Sequence, residues 1–198
     1  AMSTVDSALN CSATVYLLDF HKRFISPGVD DHGALRLLRI TTAVVGVIGT
    51  AGTIRSGAYP KVIRVLAPSV EVFSKACPLF VPLAEEGWTE GPVTAEVVKT
   101  YLEELREQRI DTLVLGCTHY PLLTDCIAAY MGPEVTLIDS AEATAAVVAE
   151  TLERMDMSAS RAAGPRHRFL VSDSPEGFER VSRRFLGRPV DHVEWVDF

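Results

Sequence analysis

The chain has 198 residues, a formal net charge of −7, 47% hydrophobic residues and only 8% aromatic ones. That length can bury a core as one domain or two small lobes, and the composition excludes a disordered chain and favours an α/β protein over an aromatic-cored sandwich. The acidic balance argues against the clustered Lys/Arg face of a nucleic-acid binder, and no apolar run approaches the ~20 residues of a membrane span.

Residues 1–42 hold short apolar pieces broken by Pro27-Gly28 and Asp30-Asp31, and carry no assignable pattern. From residue 43 strand and helix signals alternate with short connections, the pattern of a parallel sheet with helices packed on it. Residues 43–48 are an apolar strand running into GTAGTIRSGAY, where Gly49, Thr50, Gly52 and Thr53 form a loop before a helix expected near Ile54. Successive N–H groups at such a helix start make an anion site, although the same residues also suit a plain turn with a Thr cap. Residues 70–73 are a second strand. In CPLFVPLAEEGW after it, Pro78 and Pro82 argue for an irregular loop.

Residues 93–109 predict an amphipathic helix, with Val97, Val98, Tyr101, Leu102 and Leu105 on one face. The stretch DTLVLGCTHYPLL comes next, a buried-strand run that places the Cys117 thiol at a strand mouth. Pro121 marks the start of the next helix, whose free N–H groups and dipole are expected to lower the thiol pKa and make a thiolate available as base or nucleophile. A small apolar Cys capping a core strand fits the same residues. Then come a short helix over 121–130 ended by Gly132-Pro133, a strand over 135–138, a helix over 141–155, a connection over 156–166, a strand over 167–171, a helix over 175–186 and a terminal strand over 190–196. Arg180, Arg183, Arg184 and Arg188 flank the apolar stripe Phe178, Val181, Phe185 and read as a solvated helix face.

The four cysteines, Cys11, Cys77, Cys117 and Cys126, contain no C-x-x-C pair and no framework spacing, which indicates reduced thiols in a cytoplasmic protein. Cys117 and His119 alone are too few for a metal site.

The blocks VGVIGTAGTIRSGAY, CPLFVPLAEEGW, DTLVLGCTHYPLL, TLIDSAEATA and RFLGRPVDHVEWVD, in this order and at these separations, closely resemble the glutamate racemases of the aspartate/glutamate racemase superfamily. The resemblance covers roughly residues 43–198. It implies two similar α/β lobes with parallel sheets flanked by helices and a cofactor-independent racemase site between them. One cysteine on each lobe then works on opposite faces of the glutamate Cα, one thiolate removing a proton while the opposing thiol delivers another.

Carried over by position, Cys117 resembles the second-lobe catalytic cysteine, His119 the histidine that assists it, and Glu85 an acidic residue near the site. Thr118, Thr50 and Thr53 resemble residues that hold the substrate carboxylate. Cys77 and Cys126 match no catalytic position and read as core. At the N-terminus the resemblance weakens: Asp6-Ser7 lacks the glycine of the family's Asp-Ser-Gly loop, Pro-Tyr-Gly has no counterpart, and Asn10-Cys11-Ser12-Ala13 stands where the first-lobe Cys-Asn-Thr is expected. The expectation is a shortened first lobe built from 1–42 and 156–198, a second lobe over 43–155, and Cys11 as the opposing thiol. Such a lobe would expose apolar surface and favour a homodimer. The implied function is glutamate racemisation for peptidoglycan synthesis. The alternative is a catalytically impaired relative that binds an acidic amino acid or a protein partner.

Overall fold

The computed structural model describes residues 44–159, 167–190 and 192–197. Cys11, the readings made for residues 1–43, and most of the 156–166 connection lie outside the described residues. The chain divides into two units, Ala1–Thr151 and Leu152–Phe198.

The first unit contains a four-stranded, wholly parallel sheet of order β2-β1-β3-β4, formed by β1 (Val44–Gly49), β2 (Glu71–Ala76), β3 (Thr112–Gly116) and β4 (Thr136–Asp139). The two central strands, VVGVIG and TLVLG, are buried almost throughout, whereas edge strands β2 and β4 are partly exposed. A parallel strand covered on both faces must be apolar along its whole length, which is why these two segments are the continuous apolar runs of the sequence. Alternation sends Ile48, Leu113 and Leu115 into one layer with Phe80, Leu102 and Ile127, and Val45, Val47 and Val114 into the other with Tyr59, Ile63 and Val70.

The helix after β1 begins earlier than residue 54. Thr50 is its N-cap, its Oγ1 accepting the Thr53 N–H at 3.3 Å, so Gly52 and Thr53 belong to the helix α1 (Ala51–Ser56) and not to a loop. Gly57, at φ 62°, ends α1 and starts α2 (Ala58–Leu66); this left-handed conformation is strained for any residue with a Cβ.

The segment CPLFVPLAEEGW is also more regular than its prolines suggest. Residues Phe80–Glu86 form helix α3. Pro82 sits in the first turn, where a missing N–H removes no intrahelical bond.

Helix α4 (Pro92–Glu107) has its expected apolar face, with Val98, Leu102 and Leu105 buried and Val97 and Tyr101 partly so. After β3 comes a single 3₁₀ turn, Tyr120–Leu123, and only then helix α5 (Thr124–Met131). Helix α6 (Ala141–Arg154) lies after β4.

In the second unit, β5 (Phe169–Val171), α7 (Pro175–Leu186) and β6 (Val193–Trp195) make one β-α-β unit whose strands pair in parallel. Ser174 caps α7 by accepting the Gly177 N–H at 3.0 Å, and the Phe169 and Phe178 rings lie 5.9 Å apart. No helix of the described residues is long and apolar enough to cross a membrane.

Leu102 is fully buried between α4 and the sheet. Replacing it with Ala is expected to cost about 2–5 kcal/mol, the range for a buried Leu whose cavity cannot collapse. Urea unfolding of the full chain, read by far-ultraviolet circular dichroism, checks this.

Candidate active site at the carboxyl edge of the sheet

In β1, β2 and β3 the pairing ends at one level, with Gly49 beside both Ala76 and Gly116. The next residue of each strand is therefore Thr50, Cys77 or Cys117, and the carboxyl edge of a parallel sheet is where ligands bind in open α/β folds. The Cys77 N–H donates to the Gly49 carbonyl at 2.9 Å, tying the first two loops together.

Cys117 is partly buried, and its Sγ lies 3.9 Å from His119 Nδ1. The other ring nitrogen, Nε2, lies 3.3 Å from Glu85 Oε1 on α3. With Nε2–H donated to Glu85, Nδ1 is the ring nitrogen left to face the thiol. Thr118 is exposed, its Oγ1 3.4 Å from His119 Nδ1. Thr50 and Thr53 bring their hydroxyl oxygens to 3.0 Å of each other at the start of α1.

Sequence reasoning expected the thiol pKa of Cys117 to be lowered, and the structure reverses that. Burial pushes it up; the His119 and Tyr120 N–H groups oppose burial, and the Glu85 charge adds to it. Those two N–H groups are the ones anticipated from a helix start. The segment that begins at Tyr120 is, however, a 3₁₀ turn of four residues, which adds too little to offset desolvation.

Cys77 is a core residue as expected, fully buried and pushed up to about 12 by burial, an effect the Lys75 charge partly offsets. Cys126 is partly buried against the same core. Among the described residues no group of three or more His, Cys, Asp or Glu could hold a metal ion.

Two buried tyrosines around this site escaped the sequence reading. Tyr120 donates its hydroxyl to the Cys77 carbonyl at 2.9 Å and meets Phe80 edge-on at 5.2 Å, linking the loop of His119 to the start of the helix that carries Glu85. Tyr59 lies against Gly116 from the other layer. Both fall inside the motif blocks, but at positions where an aromatic residue also reads as ordinary core.

The family described as Asp/Glu/hydantoin racemase matches residues 28–148. This chain belongs to the Asp/Glu/hydantoin racemase family. Within that family it is 54% identical over 170 residues to the glutamate racemase of Geobacter metallireducens, a match covering 85% of this chain and 63% of that one. Of solved structures, a glutamate racemase isoform of Bacillus anthracis superposes with a TM-score of 0.73 at 37% identity, covering 83% of this chain and 62% of the other. The glutamate racemase of Francisella tularensis, solved with D-glutamate, also gives 0.73, at 35% identity over 82% and 61%. The chain thus spans 63% of the length of the Geobacter racemase. The two solved racemases share the fold of this chain over the matched part.

Because the Glu85 charge raises the Cys117 pKa, Glu85→Gln is expected to lower it. The midpoint of Cys117 alkylation against pH, read by peptide mass spectrometry, should move to lower pH in that variant. An upward shift would mean that Glu85 acts on Cys117 chiefly through His119.

Proposed function

We propose that this chain is a glutamate racemase, interconverting L- and D-glutamate without a cofactor in the cytoplasm and supplying D-glutamate for peptidoglycan. The observation that carries the reading is the thiol–imidazole–carboxylate chain of Cys117, His119 and Glu85, with steps of 3.9 and 3.3 Å, on the sheet edge of a member of this family.

In this reading Cys117 is the acid/base on one face of Cα. As thiolate it takes the α-proton and becomes a thiol; the planar carbanion then receives a proton from a thiol on the opposite face, which becomes the thiolate. Cys11 is the residue assigned to that opposite face. His119 accepts and returns the Cys117 proton, and Glu85 holds the imidazole in the tautomer that does so.

The Thr118 hydroxyl and the N–H groups at the start of α1, framed by Thr50 and Thr53, suit the substrate carboxylates, because an anion there meets donors that lack intrahelical partners.

A second reading is favoured by the burial that raises the Cys117 pKa: a catalytically impaired member that binds an acidic amino acid or a protein partner through the same edge. Circular dichroism of D- and L-glutamate solutions, with aspartate as control, separates the two. Loss of optical activity from both enantiomers is expected, with Cys117→Ala abolishing it together with deuterium incorporation, and Cys11→Ser reducing racemisation by at least about a hundredfold, the scale of one lost acid/base group. Retention of full activity by the Cys11→Ser variant would remove Cys11 from the mechanism. Binding of glutamate without any turnover would establish the second reading.

A further inference from the structure

Strands β2 and β3 are not neighbours: β1 lies between them, which sets them about 10 Å apart, twice the spacing of paired strands. Glu85 follows one and His119 the other, so no strand pairing joins the helix that carries the carboxylate to the loop that carries the imidazole. The Tyr120 side chain crosses that gap. Its ring is fully buried and meets Phe80, the first residue of α3, edge-on at 5.2 Å, and its hydroxyl donates to the Cys77 carbonyl at 2.9 Å. The same carbonyl accepts the Phe80 N–H at 3.1 Å, so the hydroxyl grips the chain at the point where α3 begins.

On the other side of the gap, the Tyr120 N–H donates to the Cys117 carbonyl at 3.2 Å and the Leu122 N–H to the His119 carbonyl at 3.1 Å. These bonds close His119 and Tyr120 into one turn, and where the Tyr120 ring is held, the His119 backbone is held too. Burial pushes the Tyr120 phenol far above its usual range, and the hydroxyl keeps the proton it donates. The His119 and Glu85 side chains, 24% and 46% exposed, are by contrast open to water where they meet at 3.3 Å. A contact so exposed contributes about 0–1 kcal/mol and cannot fix its own geometry; the buried framework beneath it must.

We propose that Tyr120 is a positioning residue for the His119–Glu85 pair: its hydroxyl bond to the Cys77 carbonyl spaces the loop after β3 from α3 so that imidazole and carboxylate meet. Its bearing on catalysis rests on the proposed racemase reading. Its test also has a readout independent of turnover.

In the full chain, Tyr120→Phe keeps the ring against Phe80 and leaves the Cys77 carbonyl its Phe80 N–H, so the fold is retained. The Nε2–H resonance of His119 in protein carrying isotope-labelled histidine is assigned among the five histidines by its loss in His119→Asn. In Tyr120→Phe it is expected to move toward the position it takes in Glu85→Gln. Leu102→Ala, which opens a cavity in the same core layer, should lower the unfolding midpoint and leave that resonance where it was. Deuterium incorporation into glutamate should fall about tenfold in Tyr120→Phe, part of the hundredfold or more that one acid/base group supplies. Combined with Glu85→Gln it should fall no further than in Glu85→Gln alone, since both substitutions act through one contact. A His119 resonance unmoved by Tyr120→Phe, or displaced equally by Leu102→Ala, overturns the proposal, as does a loss that multiplies with that of Glu85→Gln. If the unsubstituted chain exchanges no deuterium, the racemase reading fails, and the His119 resonance still decides the role of Tyr120.

Discussion

The parallel pairing of β1 with β2 on one side and β3 on the other stops all three strands at the same level, and the chemistry of this edge depends on that. Gly49 lies beside Ala76 and Gly116, so a threonine and two cysteines distant in sequence emerge as neighbours. Side chains alternate with a period of two, and a slip of one residue in β3 would send Leu113 and Leu115 into the layer that accepts only Val114. The same register is enforced sterically. Gly116 passes so close to the Ile48 carbonyl that no larger residue fits, and the strand therefore delivers Cys117 to a single position.

Around that position three effects compete. Desolvation opposes ionisation of Cys117, Glu85 opposes it further, and the N–H groups of His119 and Tyr120 favour it; desolvation prevails. In the proposed mechanism the His119–Glu85 pair answers this imbalance. A thiol that ionises reluctantly in isolation can still transfer its proton to an imidazole whose far nitrogen is held by a carboxylate, and the charge then stays within the group instead of facing solvent alone.

Much of this could be read from the residues. The apolar runs at Val44–Gly49 and Thr112–Gly116 announce buried parallel strands because nothing else needs continuous apolarity over so few positions. The face of α4 is dictated by its spacing, and Cys117, His119 and Glu85 converge as their motif blocks implied. Proline misled the reading of α3: Pro82 looks like a breaker until its place in the first turn is known, and that place is fixed by where β2 ends. The polarity of the Cys117 shift was illegible for a related reason. A proline after Cys-Thr-His-Tyr signals a helix start but not whether the first turn is α or 3₁₀, nor how deeply the thiol is buried. Tyr59 and Tyr120 differ from core aromatics only through partners that tertiary structure supplies.

The reluctance of Cys117 to ionise bears on how the chain survives in an environment that contains oxidants. Peroxides and electrophilic metabolites react with thiolates, and the rate at which a cysteine is lost depends on its thiolate fraction and its exposure. A site thiol held mostly protonated by its own burial offers such reagents little to attack while it is empty. Cys77, sealed beneath the same edge with its proton bound still more firmly, offers them less. Chemical durability and, in the proposed mechanism, proton transfer are thus set by one balance of burial against N–H groups, and any change that made Cys117 ionise more readily at rest would also make it a readier target.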